Sequence, residues 1–114
     1  MKRAEAEAIL KEKFKIDSFY DMQWEVISLI LKKKRALFVA KTGYGKSLCY
    51  QFPAVLFDGL TVVYTPLVAL MRDQVKNMQK LGIPAKSINY QQDREEIEKT
   101  VEEAKQGKLK ILYI

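Results

Sequence analysis

The chain has 114 residues, 48% of them hydrophobic, which is enough for one packed core and rules out a wholly disordered polypeptide. Twenty Lys and Arg against fourteen Asp and Glu leave a net charge of +6, a balance that suits a polyanionic partner. With no histidine and a single cysteine, Cys49, histidine-based acid-base catalysis, the usual zinc ligand sets and an internal disulfide are all excluded.

The amino end, residues 1–14, alternates charge with alanine and has no apolar h-region, and nowhere do 18 apolar residues run together. We therefore expect a soluble intracellular protein without a membrane partner, placed in the cytoplasm, nucleoid or nucleus according to its source. Residues 3–14 are good helix formers, with Leu10 and Phe14 one turn apart. Ser18 followed by Asp21 predicts a capped start to a second helix. There Trp24, Ile27 and Leu31, flanked by Val26 and Ile30, keep helical spacing to about residue 33. Lys32-Lys33-Lys34-Arg35 closes that helix, a run that suits either nucleic acid or the negative end of the helix macrodipole.

The apolar run Ala36-Leu37-Phe38-Val39 reads as a strand, and residues 46–57 read as a helix. Between them stands Ala40-Lys41-Thr42-Gly43-Tyr44-Gly45-Lys46-Ser47, the residue pattern of a P-loop in its strand-loop-helix setting. Gly43 and Gly45 let the main chain turn sharply so that N–H groups converge on phosphate oxygens at the positive end of the helix. Lys46 is then expected to reach the β- and γ-phosphates and Ser47 to offer its hydroxyl to Mg²⁺. Ala40 stands where the strict pattern has glycine, and is small enough for the turn.

A turn at Asp58-Gly59 leads to a strand over residues 60–64, a helix over 67–80 and a strand over 85–88. A helix over 93–106 with Ile97, Val101 and Ala104 on one face is ended by Gly107, and residues 109–114 read as a last strand. Short apolar runs alternating with helices imply an α/β fold, a parallel sheet with helices on both faces, in one partial domain over residues 1–114. Cys49 reads as a small apolar core residue of the helix after the P-loop.

Thr65-Pro66-Leu67-Val68-Ala69-Leu70-Met71-Arg72-Asp73-Gln74 follows the strand over 60–64 and so lies at the carboxyl edge of the sheet, where ligands of such sheets bind. Thr65, the helix start at Pro66 and Leu67, and Arg72 can grip a sugar-phosphate backbone. The same residues also fit an ordinary turn, with Leu67, Leu70, Met71, Val75 and Met78 as core. Upstream, the amide of Gln23 can pair with N6 and N7 of adenine while Tyr20 stacks on the base, although a glutamine in a first helical turn is as readily just exposed.

Taken together, these segments resemble the amino-terminal part of a RecQ-family DNA helicase, over nearly the whole chain. The segment from Leu10 to Gln23 is similar to the family's adenine-reading region, TGYGKSLCYQFP to its motif I, LTVVYTPLVALMRDQ to its motif Ia, and KILYI to the strand before its Pro-Glu-Arg segment. The resemblance implies a RecA-like P-loop NTPase using ATP and Mg²⁺, with Tyr20 and Gln23 on adenine, and Thr42, Gly43, Tyr44, Gly45, Lys46 and Ser47 on phosphate. It also implies Thr65, Pro66, Leu67 and Arg72 on single-stranded or partly duplex DNA, and 3′-to-5′ unwinding by the full protein. Four positions depart from the family: Tyr20 stands for its arginine, Lys15 for a frequent glycine, Ala69 for a frequent serine, and Tyr44 for a small residue. A left-handed Lys15 would cost about 1 kcal/mol.

The chain ends before the family's Asp-Glu pair and before its second RecA-like domain with the arginine finger. We therefore expect a fragment that binds nucleotide, with DNA as a second candidate ligand, that does not unwind and that hydrolyses ATP very slowly. A stand-alone, non-catalytic nucleotide- or DNA-binding module is the alternative of a different class. Another P-loop enzyme, such as a kinase, fits less well with Gln23 and motif Ia. Asp73, Asp93, Glu95 and Glu96 are expected on solvated helix faces rather than in place of the Asp-Glu pair.

Overall fold

Helical spacing, capping residues and a parallel ladder account for most of the architecture of the computed structural model, which describes residues 1–41 and 45–114. The chain gathers into two compact units, Met1–Leu56 and Phe57–Ile114.

The first unit is helical. Helix α1 (Arg3–Phe14) buries Ala6, Leu10 and Phe14, spaced four apart on one face. It ends on Lys15 in the left-handed conformation, φ 61°, where glycine is the usual choice. Helix α2 (Asp21–Leu31) turns Gln23 and Ile27 inward, and α3 (Leu48–Leu56) turns in Leu48, Cys49, Gln51, Phe52, Pro53 and Ala54. Phe52 is fully buried and meets Phe19 edge-on at 5.0 Å and Phe14 at 6.1 Å between ring centroids, while Phe19 also packs on Trp24 at 5.7 Å. These rings fasten the helix after the phosphate loop to α1 and to the segment leading into α2.

Three expectations for this unit are corrected. Residues 36–39 form no strand: Leu37 and Val39 are 91% and 83% exposed, and among the described residues no main-chain hydrogen bond is made by these four. An apolar run becomes a strand only when a ladder partner takes up its N–H and C=O groups, and its composition cannot supply that partner. Ser18 does not cap α2. The N-cap is Tyr20, whose N–H donates to Oε1 of Gln23, three residues on, at 2.8 Å. The helix after the loop begins at Leu48 rather than at residue 46, because the preceding turn is tightened by bonds from Leu48 N to Gly45 O and Cys49 N to Lys46 O.

The second unit is a parallel α/β layer. Strands β1 (Thr61–Val63), β2 (Ala85–Ser87) and β3 (Ile111–Tyr113) form a sheet in the order β1-β3-β2, with Thr61 and Ala85 both opposite Ile111. Helix α4 (Val68–Lys80) joins β1 to β2, and α5 (Arg94–Lys105) joins β2 back to β3. The two crossovers run in opposite directions across the sheet, so the right-handed rule sets α4 and α5 on opposite faces. The central strand is accordingly buried on both sides, with Ile111 and Tyr113 at 0% exposure and Leu112 at 9%. Tyr113 Oη donates to Gln74 Oε1 at 3.1 Å, which fixes α4 to the face carrying Ile111 and Tyr113. The parallel sheet expected from the alternation of elements is present.

Two expected core stripes in this unit are only partly filled. On α4, Met71 and Met78 are buried, but Leu67 and Leu70 stand 61% and 42% exposed. On α5 the buried residue is Thr100, which satisfies its hydroxyl on the Glu96 carbonyl at 3.1 Å, while Val101 is exposed. Asp93 caps α5 by accepting from Glu96 N at 2.8 Å. Among the described residues no helix is long and apolar enough to cross a membrane.

Candidate nucleotide site and the carboxyl edge of the sheet

The first candidate site lies where α2 and α3 meet the phosphate loop. Gln23 is buried, and its amide is divided: Oε1 accepts from Tyr20 N, and Nε2 donates to the Gly45 carbonyl at 3.1 Å. One side chain thus closes its own helix and holds the end of a loop 22 residues away. Gly45 has φ +68°, a conformation that favours glycine, and a β-carbon on it would collide with Gln23 Nε2 and push that amide aside. The exposed Lys46 folds its ammonium back onto the Ala40 carbonyl at 2.8 Å, spanning the loop. Thr42, Gly43 and Tyr44, expected in the phosphate cradle, lie outside the described residues.

The segment before α2 is clamped from α1. Arg3 donates to Asp21 Oδ1 at 2.7 Å, to Glu7 Oε2 at 3.3 Å and to the Phe19 carbonyl at 2.6 Å, and Glu7 Oε2 also accepts from Phe19 N at 2.8 Å. The bond to Asp21, more than any other influence, raises the Arg3 guanidinium above its ordinary range. This clamp holds the backbone beside Tyr20, a residue 62% exposed. Sequence reasoning passed over it, although the four-residue spacing of Arg3 and Glu7 is a visible signal. Cys49, on the buried side of α3, has its thiol pushed up by burial, as fits a core residue.

The second candidate site belongs to the other unit, at the carboxyl ends of its strands. Thr65 follows β1 and ties back to the sheet through its N–H on the Ile114 carbonyl at 2.9 Å. Its Oγ1 accepts from Leu67 N at 3.3 Å, which turns the chain into α4 and leaves the hydroxyl hydrogen available for an external acceptor. Pro66 and Leu67 are exposed. One turn into α4, Arg72 donates to Gln91 Oε1 in the loop after β2, a partner that the sequence did not suggest. Arg72 and Lys76 help line a groove of about 440 Å³ with Asp73, Val75, Gln79 and Ser87. Asp73, Asp93, Glu95 and Glu96 are all exposed, and among the described residues no group of three His, Cys, Asp or Glu is placed to hold a metal ion.

The geometry therefore joins Gln23, Tyr20, Gly45 and Lys46 in one unit, and Thr65, Leu67 and Arg72 in the other. The chain is 46% identical to the ATP-dependent DNA helicase RecQ of Haemophilus influenzae over 107 residues, which is 94% of this chain and 17% of that protein. It is 42% identical to the putative ATP-dependent DNA helicase Q1 of Caenorhabditis briggsae over 112 residues, 96% of this chain and 18% of that protein. The RecQ helicase of Synechocystis is 40% identical over 112 residues, 98% of this chain and 23% of that protein. The chain thus spans about a fifth of the length of these relatives. A family model for DEAD/DEAH box helicases matches residues 20–114, from Tyr20 to the last strand, and on that match the chain belongs to the DEAD/DEAH box helicase family.

Proposed function

We propose that this chain is the nucleotide-docking part of a RecQ-type, ATP-dependent DNA helicase that unwinds DNA in the 3′-to-5′ direction as a whole protein. The observation that carries the reading is the bond from Gln23 to Gly45, which couples a base-reading segment directly to the phosphate loop. The residues fit a triphosphate. Gly45 keeps a positive φ, with a β-carbon there displacing the Gln23 amide, and the Lys46 ammonium rests on a neutral carbonyl that an anionic phosphate would outbid.

In this reading Lys46 holds the β- and γ-phosphate oxygens, Ser47 takes Mg²⁺, and the main chain of Thr42, Gly43, Tyr44 and Gly45 lines the cradle. Gln23 retains one amide hydrogen and one oxygen lone pair beyond those it uses in the chain, the two groups that adenine N7 and N6 require. Tyr20 offers its exposed ring for stacking. Bound Mg²⁺-ATP supplies the phosphoanhydride whose cleavage drives the motor. Thr65, through its unspent hydroxyl hydrogen, the exposed turn at Pro66 and Leu67, and Arg72 take the backbone of single-stranded or partly duplex DNA. The rest of the helicase, including a second RecA-like domain, is the partner, in an intracellular setting.

Binding of a fluorescent ATP analogue tests the reading. Lys46→Ala should abolish it in a protein that keeps its helical circular dichroism, and retained affinity in that folded variant overturns the phosphate role. For the edge of the sheet, Arg72→Ala should flatten the salt dependence of single-stranded DNA binding by about 0.7 in log–log slope.

A further inference from the structure

Helix α2 ends on an exposed lysine in the left-handed position of its closing turn. Lys33 N donates to Ile30 O at 2.8 Å and Lys34 N to Leu29 O at 2.9 Å, the two bonds of a Schellman closure, and Lys33 occupies its left-handed position at φ 60°. Helices α4 and α5 close with the same pair of bonds, and there the left-handed residues are Gly82 at 77° and Gly107 at 74°. Lysine in place of glycine at such a position costs about 1 kcal/mol. Lys15, the other left-handed lysine, has local work to do, since its ammonium donates to the Glu12 carbonyl at 3.0 Å. Lys33 has none: among the described residues the side chains of Lys32, Lys33, Lys34 and Arg35 make no hydrogen bond or ion pair, and all four are exposed.

The helix macrodipole accounts for only part of this run, because its attraction for cations fades beyond the last turn, and Lys34 and Arg35 lie past the end of α2. The wider charge pattern points the same way. Residues 1–56 hold eleven Lys and Arg against six Asp and Glu, a net +5, whereas residues 57–114 hold nine against eight, a net +1. Between Glu25 and Asp58 the sequence contains six cations and no acidic residue at all.

We infer that Lys32, Lys33, Lys34 and Arg35 form a second nucleic-acid contact, one that grips the sugar-phosphate backbone and is separate from the Thr65 and Arg72 site. The strained Lys33 is kept because a cation there continues the charged row through the helix end. The N–H groups of Lys32, Lys33 and Lys34 are already spent on helix carbonyls, so the grip is made by side chains alone and reads charge rather than base sequence. The inference shares the nucleic-acid partner of the reading above and adds a different surface to it.

The test is fluorescence anisotropy of a labelled 20-nucleotide single strand across a salt series, with melting temperature recorded on the same samples of the full chain. Lys33→Gly should raise the melting temperature and flatten the log–log salt slope by about 0.7, and replacing all four (Lys32→Ser, Lys33→Gly, Lys34→Ser, Arg35→Ser) should flatten it by about 2 to 3. An unchanged slope in the folded fourfold variant overturns the inference, as does a wild-type chain that binds no oligonucleotide. If Arg72→Ala flattens the slope and the fourfold variant does not, the inference falls while the edge-of-sheet reading stands. If the fourfold variant loses slope while Lys46→Ala keeps its nucleotide affinity, the inference stands and the nucleotide reading falls. Tighter, equally run-dependent binding to phosphatidylserine vesicles overturns nucleic acid as the occupant.

Discussion

The helical unit, Met1–Leu56, is held by side chains that reach across long stretches of sequence, whereas the unit Phe57–Ile114 is held by a main-chain ladder. In the first, Phe52 is gripped by Phe14 and Phe19, and Gly45 is held by one glutamine amide. In the second, Thr65 is placed by a backbone bond to Ile114 that simply prolongs the β1-β3 pairing. A site positioned by side chains is vulnerable to single substitutions, because each contact is lost whole. A site positioned by a ladder is buffered, because any residue but proline can supply the bonds.

That contrast can be broken most decisively at Phe52. Phe52→Ala should cost about 3–5 kcal/mol, and hydrogen exchange should show α1 to α3 losing protection while β1 to β3 keep theirs; equal loss in both units would erase the distinction. Next in size is Gln23→Ala, expected to cost about 1–3 kcal/mol by leaving Tyr20 N and Gly45 O without their partner. A double-mutant cycle sharpens it. Gly45→Ala should cost less in the Gln23→Ala background, because the collision is gone and only the left-handed strain remains; strict additivity of the two melting shifts would dissociate the loop from the amide. In the ladder-held unit, Asp93→Ala should cost only about 1 kcal/mol, read as a local rise in exchange at the first turn of α5. The smallest effect is a gain: Lys15→Gly should stabilise by up to about 1 kcal/mol in urea melts, less the weak bond to Glu12.

Much of the second unit was legible beforehand, and the reason is local. Gly82 and Gly107 stop their helices with positive φ, Asp93 starts one with its own carboxylate, and the strands β1, β2 and β3 fall inside the predicted runs. In the first unit the motif residues were legible as types but not as contacts. Nothing within a few residues of Gln23 says that its amide will meet Gly45, and Ser18 offered a plausible cap that Gln23 made unnecessary. Residues 36–39 show the same limit from the other side. Their composition fits a strand, yet strand formation depends on a partner that local sequence does not specify. The half-exposed stripes of α4 and α5 failed for a related cause, since periodicity marks an apolar face without saying how much of it finds cover.

The outer margin of β2 carries a last lesson. The carbonyls of Ala85 and Ser87, which face away from β3, already accept hydrogen bonds from the amides of Gln79 at 3.1 Å and Gln92 at 2.9 Å. A newcomer strand arriving on that flank would have to evict two glutamines before it could zip on. Among the described residues no side-chain amide guards the opposite flank, along β1, where Val62 and Tyr64 are 51% and 86% exposed, so added backbone meets less resistance on the side that bears the Thr65 turn.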